Sequence, residues 1–337
     1  MNTVPFSFSI VVLPDTQQYV ENNYNRKMFP AQTAWIAGNK EELNIQFVLH
    51  LGDIVQTNAV EEWKWASRSY EMLDETKIPY ALTVGNHDFG TLSDVAARNT
   101  TRFNAYFGPE RFKNEQWYGG HYGEGNENNY TFFDVNDLEF MVLHLEFGPR
   151  DKVLEWANEL VSSHPEKRVV VVTHSYLCHD DLRVGDPARD LESDDCWTPY
   201  NYVGQYVLEA NDGEEMWNKL VKLHKNIFLV VSGHTLGDGA GYLISTGDHG
   251  NKVHQILTNY QTTGYGWLRI LTFVPSKNLV YVVPDTPLRL GGYTDAYNHF
   301  TEAGYFDSRL TPRTAGVIGF RLRDDPEHSF VFRYDMN

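Results

Sequence analysis

Between Phe47 and Val55 the chain reads Phe-Val-Leu-His-Leu-Gly-Asp-Ile-Val. An apolar run that breaks at His50-Leu51-Gly52-Asp53 and then resumes predicts a buried strand closed by a tight turn. The turn sets the Asp53 carboxylate at the carboxyl end of the strand. Open α/β sheets bind ligands at that edge, and a carboxylate fixed there by a glycine turn suits a metal ion. The arrangement recurs along the chain. Phe6–Leu13 ends in Pro14-Asp15-Thr16-Gln17, and Ile78–Val84 ends in Gly85-Asn86-His87-Asp88. Arg168–Val172 ends in Thr173-His174, and Ile227–Val231 ends in Ser232-Gly233-His234. In a twisted sheet such ends lie near one another. Asp15, Asp53, Asn86, His174 and His234 therefore constrain the fold to one in which five strand ends meet.

The segments between these strands read as helices. Ala34, Ile36, Ala37 and Leu43 give a rough helical period after Pro30, and Trp63, Ala66, Tyr70 and Leu73 fall at three- and four-residue steps. The resulting β-α-β-α-β order predicts an α/β sandwich rather than separate all-α or all-β modules. Tyr130–Val135 and Glu139–Leu145 predict a hairpin across Asn136-Asp137. Asp151–Val161 and Asp212–Leu223 predict helices. Tyr242–Thr246, Val253–Tyr260, Trp267–Val274 and Leu279–Val283 predict a run of strands, with Val317–Leu322 and Phe330–Phe332 as a final pair. No linker or internal repeat is visible, so residues 1–337 are expected to form a single domain. Inserted loops are expected at about 89–128 and 178–210, and a β-rich portion from about 264. The first loop carries Trp117-Tyr118-Gly119-Gly120-His121-Tyr122 and reads either as a lid or as a packed surface loop.

Composition narrows the function. The apolar fraction of 42% supplies a sizeable core, and a net charge of −17 leaves no broad nucleic-acid footprint. No run of about 18 apolar residues predicts a membrane span. The opening nine residues lack a basic region and do not read as a signal peptide. The two cysteines, Cys178 and Cys196, either pair in an oxidising compartment or remain free thiols. They are too few for a thiolate metal site, so mixed carboxylate, amide and imidazole ligands point to Mn, Fe or Zn.

Gly52-Asp53, Gly85-Asn86-His87-Asp88, Thr173-His174 and Gly233-His234, in this order, resemble the blocks of the calcineurin-like metallophosphoesterases. The resemblance extends over roughly residues 6–285. It implies a four-layer α/β/β/α sandwich, two mixed β-sheets flanked by helices, and a site for one or two divalent ions. By resemblance Asp53 bridges the two positions, Asn86, His174 and His234 hold the second ion, and Asp15 holds the first. His87 is implied as the general acid or transition-state donor, with Asp88 orienting it. The implied activity is metal-dependent hydrolysis of a small-molecule or organic phosphate ester; the aromatic run at 117–122 suggests an organic leaving group and so favours a diester over a small monoester. Two readings stay open beside it: hydrolysis or lysis of another ester or sugar-linked substrate, and a metal- or carbohydrate-binding protein without turnover.

Two blocks depart from the family pattern. The first is usually Asp-x-His and here is Asp15-Thr16-Gln17; the last is usually Gly-His-x-His and here is Gly233-His234-Thr235-Leu236. Both absent histidines would serve the first ion. That position keeps Asp15 and Asp53, with the Gln17 amide oxygen as a candidate ligand, and is expected to be weaker and harder in character, open to Ca or Mg. Asp238 and His249 are candidates to replace the absent histidines. The same departures resemble those of a mostly extracytoplasmic bacterial subgroup. A periplasmic or secreted setting is therefore expected, with its leader outside this chain, and a cytoplasmic one is the alternative. His50 reads as a hydrogen-bonded core residue, His179-Asp180-Asp181 as a solvated loop, and Arg150 and Arg183 as partners in surface ion pairs, with contact to a phosphate as the alternative.

Overall fold

A computed structural model describes residues 5–21, 25–90, 93–189, 196–202, 205–206, 209–261, 265–287 and 327–336. The first third follows the β-α-β-α-β order. It comprises β1 (Phe8–Leu13), α1 (Gln17–Glu21), α2 (Met28–Gly38), β2 (Ile45–His50), α3 (Val60–Thr76) and β3 (Tyr80–Leu82). The segment read as a long loop holds α4 (Thr101–Phe107), α5 (Pro109–Phe112) and β4 (Tyr118–His121). The hairpin is β5 (Asn129–Val135) and β6 (Leu138–Leu145), followed by α6 (Asp151–Ser163) and β7 (Arg168–Thr173). Next come the short pair β8 (Asn201–Tyr202) and β9 (Gln205–Tyr206), α7 (Gly213–Lys219) and β10 (Ile227–Ser232). The chain continues through β11 (Ala240–Thr246), β12 (Lys252–Thr258), β13 (Leu268–Val274), β14 (Leu279–Asp285) and β15 (Phe330–Arg333). The strand expected at Val317–Leu322 lies outside the described residues.

Two mixed sheets stack between helices, the α/β/β/α architecture. One has the order β15-β14-β13-β1-β2-β3, the other β11-β12-β10-β7-β6-β5-β4. Both faces of β1 are buried, which is why it reads as continuous apolar sequence rather than as an alternation. Ile10 and Val12 point into the layer between the sheets with Phe47, Leu49, Val142, Val172 and Val231. Val11 and Leu13 point outward against helical residues such as Trp63, Tyr70 and Leu73. Met141, Leu143, Val169 and Val171 on the second sheet meet Leu154, Ala157 and Trp217 from α6 and α7. Each such side chain fully buried contributes about 1.5–3 kcal/mol, which anchors the strands that carry the site.

Parallel pairing puts the informative strand ends on one edge. β1, β2 and β3 run parallel in the first sheet. In the second, β6 pairs parallel with β7, β7 with β10, and β10 with β12. The carboxyl ends of all seven therefore open at the same side of the sandwich, where α/β sheets present ligand sites. The two sheets are joined there by backbone hydrogen bonds, including Phe147 N–H to the Val84 carbonyl at 3.1 Å.

Trp117 does not cover the site. Its ring packs against Phe47, Tyr80 and Phe112 in the aromatic core at 5.6–6.1 Å. A large aromatic flanked by polar residues reads as a loop in sequence, but burial of its ring gives more than exposure in a lid.

Candidate metal centre

The turn after β2 brings Asp53 into the edge between the sheets. Asp53 adopts the left-handed region (φ +48°), a conformation that aspartate tolerates better than most residues. The turn after β3 lies directly against it. The amide of His87 donates to Asp53 Oδ1 at 2.9 Å. Asp88 ties the two turns together: its carboxylate accepts from the amides of Gly85, Ile54 and Val55 at 2.8, 2.9 and 3.1 Å. Burial, and then the charge of Asp53, push the Asp88 carboxyl up to about 7.

His174 and His234 reach Asp53 from the second sheet. His174 Nδ1–H donates to the Leu51 carbonyl at 2.7 Å, and His234 Nε2–H donates to the Trp197 carbonyl at 3.0 Å. These two bonds fix the tautomers of the neutral rings. The remaining nitrogen of each ring then carries a lone pair. His174 Nε2 lies 3.1 Å from His234 Nδ1, 3.1 Å from Asn86 Oδ1 and 3.3 Å from Asp53 Oδ2. Asp53, His174 and His234 are all buried, and their ligand atoms lie within 4.8 Å of one another. Four lone-pair atoms converging without enough hydrogens between them is what a bound cation requires, and the set suits the borderline metals Mn, Fe and Zn.

Charge is redistributed among these groups when only protons are available. Burial disfavours charge on His174, but the carboxylates of Asp53 and Asp15 outweigh it and raise the ring to about 9. Burial raises Asp53, yet the charge and hydrogen bond of His174 prevail and hold it below the usual carboxylate range. His234, buried and beside His174, falls to about 3. A protonated His174 thus occupies the electrostatic role of a cation.

The first position is oxygen-lined. Asp15 accepts from the amide of His234 at 3.2 Å, from Asn259 Nδ2 at 3.1 Å and from Gln261 Nε2 at 3.4 Å. Burial, and the nearby Asp53 against the opposing pull of His174, raise it to about 7. Gln17 Nε2 donates to Asp53 Oδ2 at 2.9 Å, while Gln17 Oε1 is buried without a hydrogen-bond partner among the described residues. An orphaned amide oxygen beside two carboxylates fits a hard, oxygen-seeking cation.

The sequence-derived residues Asp15, Gln17, Asp53, Asn86, His174 and His234 are therefore brought together. His87 borders the same cavity of about 180 Å³, with Gln18, Gln56, Trp197, Leu236 and Gln261. Its ring is held by Nδ1–H donating to the Gln56 carbonyl at 2.7 Å. The ring is thus oriented by Gln56, and Asp88 holds the backbone of the two turns instead. Neither Asp238 nor His249 joins the site. His249 sits in the β11–β12 turn, at the amino end of β12 and the opposite edge of the sheet, with Nε2 bonded to the Leu223 carbonyl at 3.1 Å. Asp238 is exposed and caps the Ala240 amide.

His50 is a core residue, its Nε2 3.0 Å from Thr16 Oγ1 and its Nδ1 accepting the Gly52 amide. Arg150 pairs with Glu146 and Arg183 with Glu214. Asn259 and Gln261 carry no separate signal in the sequence, because the apolar pattern of β12 extends to Tyr260. The strand itself ends at Thr258, so these amides are a further strand end of the recurring kind. Trp197 carried no signal; Cys196 beside it is disulfide-bonded to Cys178, and both are buried. A wider cleft of about 550 Å³ on α3, lined by Arg26, Glu61, Lys64, Trp65 and Arg68, contains none of the residues gathered at the strand ends.

Fold and site together describe a two-sheet protein that gathers metal-ligand-type side chains at its strand ends. The calcineurin-like phosphoesterase family profile matches residues 8–260, and the chain belongs to that family. The family uses a dimetal centre. Protein YvnB of Bacillus subtilis, itself uncharacterized, is 32% identical over 288 residues, 83% of this chain and 20% of that protein. The chain thus spans about one fifth of that relative's length. Among solved structures, a purple acid phosphatase from yellow lupin shares the fold with a TM-score of 0.51 at 11% identity, over 98% of this chain and 55% of that one. A dimetal phosphatase from Danio rerio is similar with a TM-score of 0.49 at 13% identity, over 85% of this chain and 98% of that one.

Proposed function

We propose that this chain hydrolyses phosphate esters with a metal-activated water, and that it acts on diesters in preference to monoesters. The observation that carries the reading is the convergence of Asp53, Asn86, His174 and His234 lone pairs with both histidine tautomers fixed by backbone carbonyls. Metal ions at this site would supply charge against the phosphate and a water of lowered pKa. Asn86, His174 and His234 would hold one ion, Asp15 and Gln17 the other, and Asp53 would serve both. Borderline metals, Mn, Zn or Fe, suit the imidazole side, and a harder ion, Mg or Ca included, suits the oxygen side. In its doubly protonated form His87 would keep Nδ1–H on the Gln56 carbonyl and donate Nε2–H to the leaving oxygen.

The preference for diesters rests on charge. Among the described residues lining the cavity there is no Lys or Arg. A monoester dianion needs cationic donors beyond the metal, whereas a diester monoanion needs fewer. The substrate is accordingly a small organic phosphodiester. The buried Cys178–Cys196 disulfide supports an oxidising, extracytoplasmic compartment.

Turnover of chromogenic mono- and diesters with added Mn, Zn or Fe tests the reading. Metal-dependent hydrolysis, faster on diesters and abolished in Asp53→Ala together with metal binding, is expected. Undiminished turnover in Asp53→Ala, or bound metal with no turnover of any ester, would overturn it.

A further inference from the structure

Trp197 stands at the cavity with its side chain 42% exposed, beside metal-ligand residues that are buried. Its backbone lies in the left-handed region at φ +44°. A bulky aromatic there is an outlier that persists only when its surroundings hold it. Two constraints do so. His234 Nε2–H donates to its carbonyl at 3.0 Å, and the preceding residue, Cys196, is bonded to Cys178 within a small buried cluster with Val184. The carbonyl contact needs no indole, because any residue supplies a carbonyl and glycine would adopt this conformation at less cost. Core packing does not explain the indole either, since much of it is in solvent.

The cavity is also divided by chemistry. Gln17, Gln18, Gln56 and Gln261 line it with amides, and Trp197 and Leu236 are the apolar residues of its described lining, the indole lying beside His234. The indole lies 5.8 Å from the His234 ring, with 73° between the two planes. Among the described lining residues the indole is the one broad π surface for an organic group attached to the phosphate.

We propose that Trp197 is the binding subsite for a planar, unsaturated group esterified to the phosphate, an aryl ring or a nucleobase, and that the Cys178–Cys196 disulfide holds this subsite beside the metal centre. The proposal rests on the phosphoester reading. Stacking of a planar ring on an aromatic side chain is worth roughly 5- to 150-fold in affinity. Leu236, where the family pattern carries a histidine, adds a second apolar residue to the cavity lining.

The test uses the Mn(II)-loaded protein and two non-hydrolysable, monoanionic diester mimics, methyl(phenyl)phosphinate and dimethylphosphinate, titrated by calorimetry. Wild type should bind methyl(phenyl)phosphinate at least about fivefold more tightly than dimethylphosphinate. Trp197→Ala should lose that preference while keeping its dimethylphosphinate affinity and metal content, because the backbone carbonyl to His234 is retained. Trp197→Tyr should keep most of the preference, and it decides the matter if the alanine variant fails to load metal. Equal weakening of both probes in the variants would overturn the proposal and assign Trp197 to positioning His234 alone. An unchanged preference in both variants would also overturn it. Failure of metal-loaded wild type to bind either probe would instead overturn the phosphoester reading, and this proposal with it.

Discussion

Gly85→Ala is a demanding perturbation of the site, because it adds one methyl group at a known place. Gly85 has ordinary extended dihedrals (φ −93°, ψ −179°), so alanine fits its backbone. The obstacle is space. A Cβ there would lie 2.2 Å from Asp53 Oδ1 and 2.3 Å from Asp53 N. A carbon and an oxygen rest no closer than about 3.3 Å, so the Asp53 carboxylate must retreat by about 1 Å. Metal coordination tolerates about 0.2 Å, and loss of ligand geometry costs at least about 100-fold in affinity. Overpacking should cost the fold about 1–3 kcal/mol. With an unfolding entropy of about 2.1 cal/mol/K per residue, that is a fall of about 1–4 °C in melting temperature for a chain of this size. Gly38→Ala is the control: nothing lies within 4 Å of its Cβ, at the end of α2. It should leave metal binding unchanged and stabilise by up to about 1 kcal/mol. Calorimetric titration of Mn(II) or Zn(II), with melting curves in chelator, reads both quantities. Wild-type metal affinity in Gly85→Ala would refute the claim that Asp53 is held in ligand geometry by the close approach of the two turns.

Three further outcomes are expected. His87→Ala should keep its metal and lose about 10²–10⁴ in kcat, and a matching loss of metal content would remove His87 from the role of proton donor. Metal uptake should be proton-coupled. His174 is raised from 6.5 to about 9 by carboxylates that outweigh its burial, so in the metal-free protein its stabilising contribution is complete below about 6.5 and is lost as pH rises through about 9. Metal must displace that proton, so affinity should rise by roughly tenfold per pH unit toward pH 9, and a flat profile would contradict the assignment. Replacing Cys178 and Cys196 by serine opens a link across 18 residues of sequence, which should cost about 3 kcal/mol and lower the melting temperature by about 4 °C. No change under oxidising conditions would show that the two thiols are not paired in solution.

The strand ends were legible because each joins an apolar β run to a short turn with a metal-type side chain. Asp15, Asp53, Asn86, His174 and His234 all carry that signature, and parallel pairing puts them on one edge. Asn259 and Gln261 have it too, but Tyr260 between them extends the apolar pattern and hides where β12 stops. Trp117 was misleading for a different reason. Its neighbours in sequence are polar, and only the packing of Phe47, Tyr80 and Phe112 takes its ring inside. Trp197 was invisible, since it enters the site through a disulfide and a backbone carbonyl, neither of which leaves a periodic trace. The orienting group of His87 was equally hidden, because Gln56 acts through its carbonyl and any residue type would serve.

The central claim is that Asp53 is the ligand shared by the imidazole-rich and oxygen-rich positions. Anomalous scattering from crystals grown with Zn(II) addresses it directly. The expected map has a strong peak about 2.0–2.2 Å from Asp53, Asn86, His174 and His234, and a weaker or separately occupied one between Asp53, Asp15 and Gln17. A metal peak elsewhere in the chain, or one at His174 and His234 with the Asp53 carboxylate outside its coordination sphere, would contradict the claim.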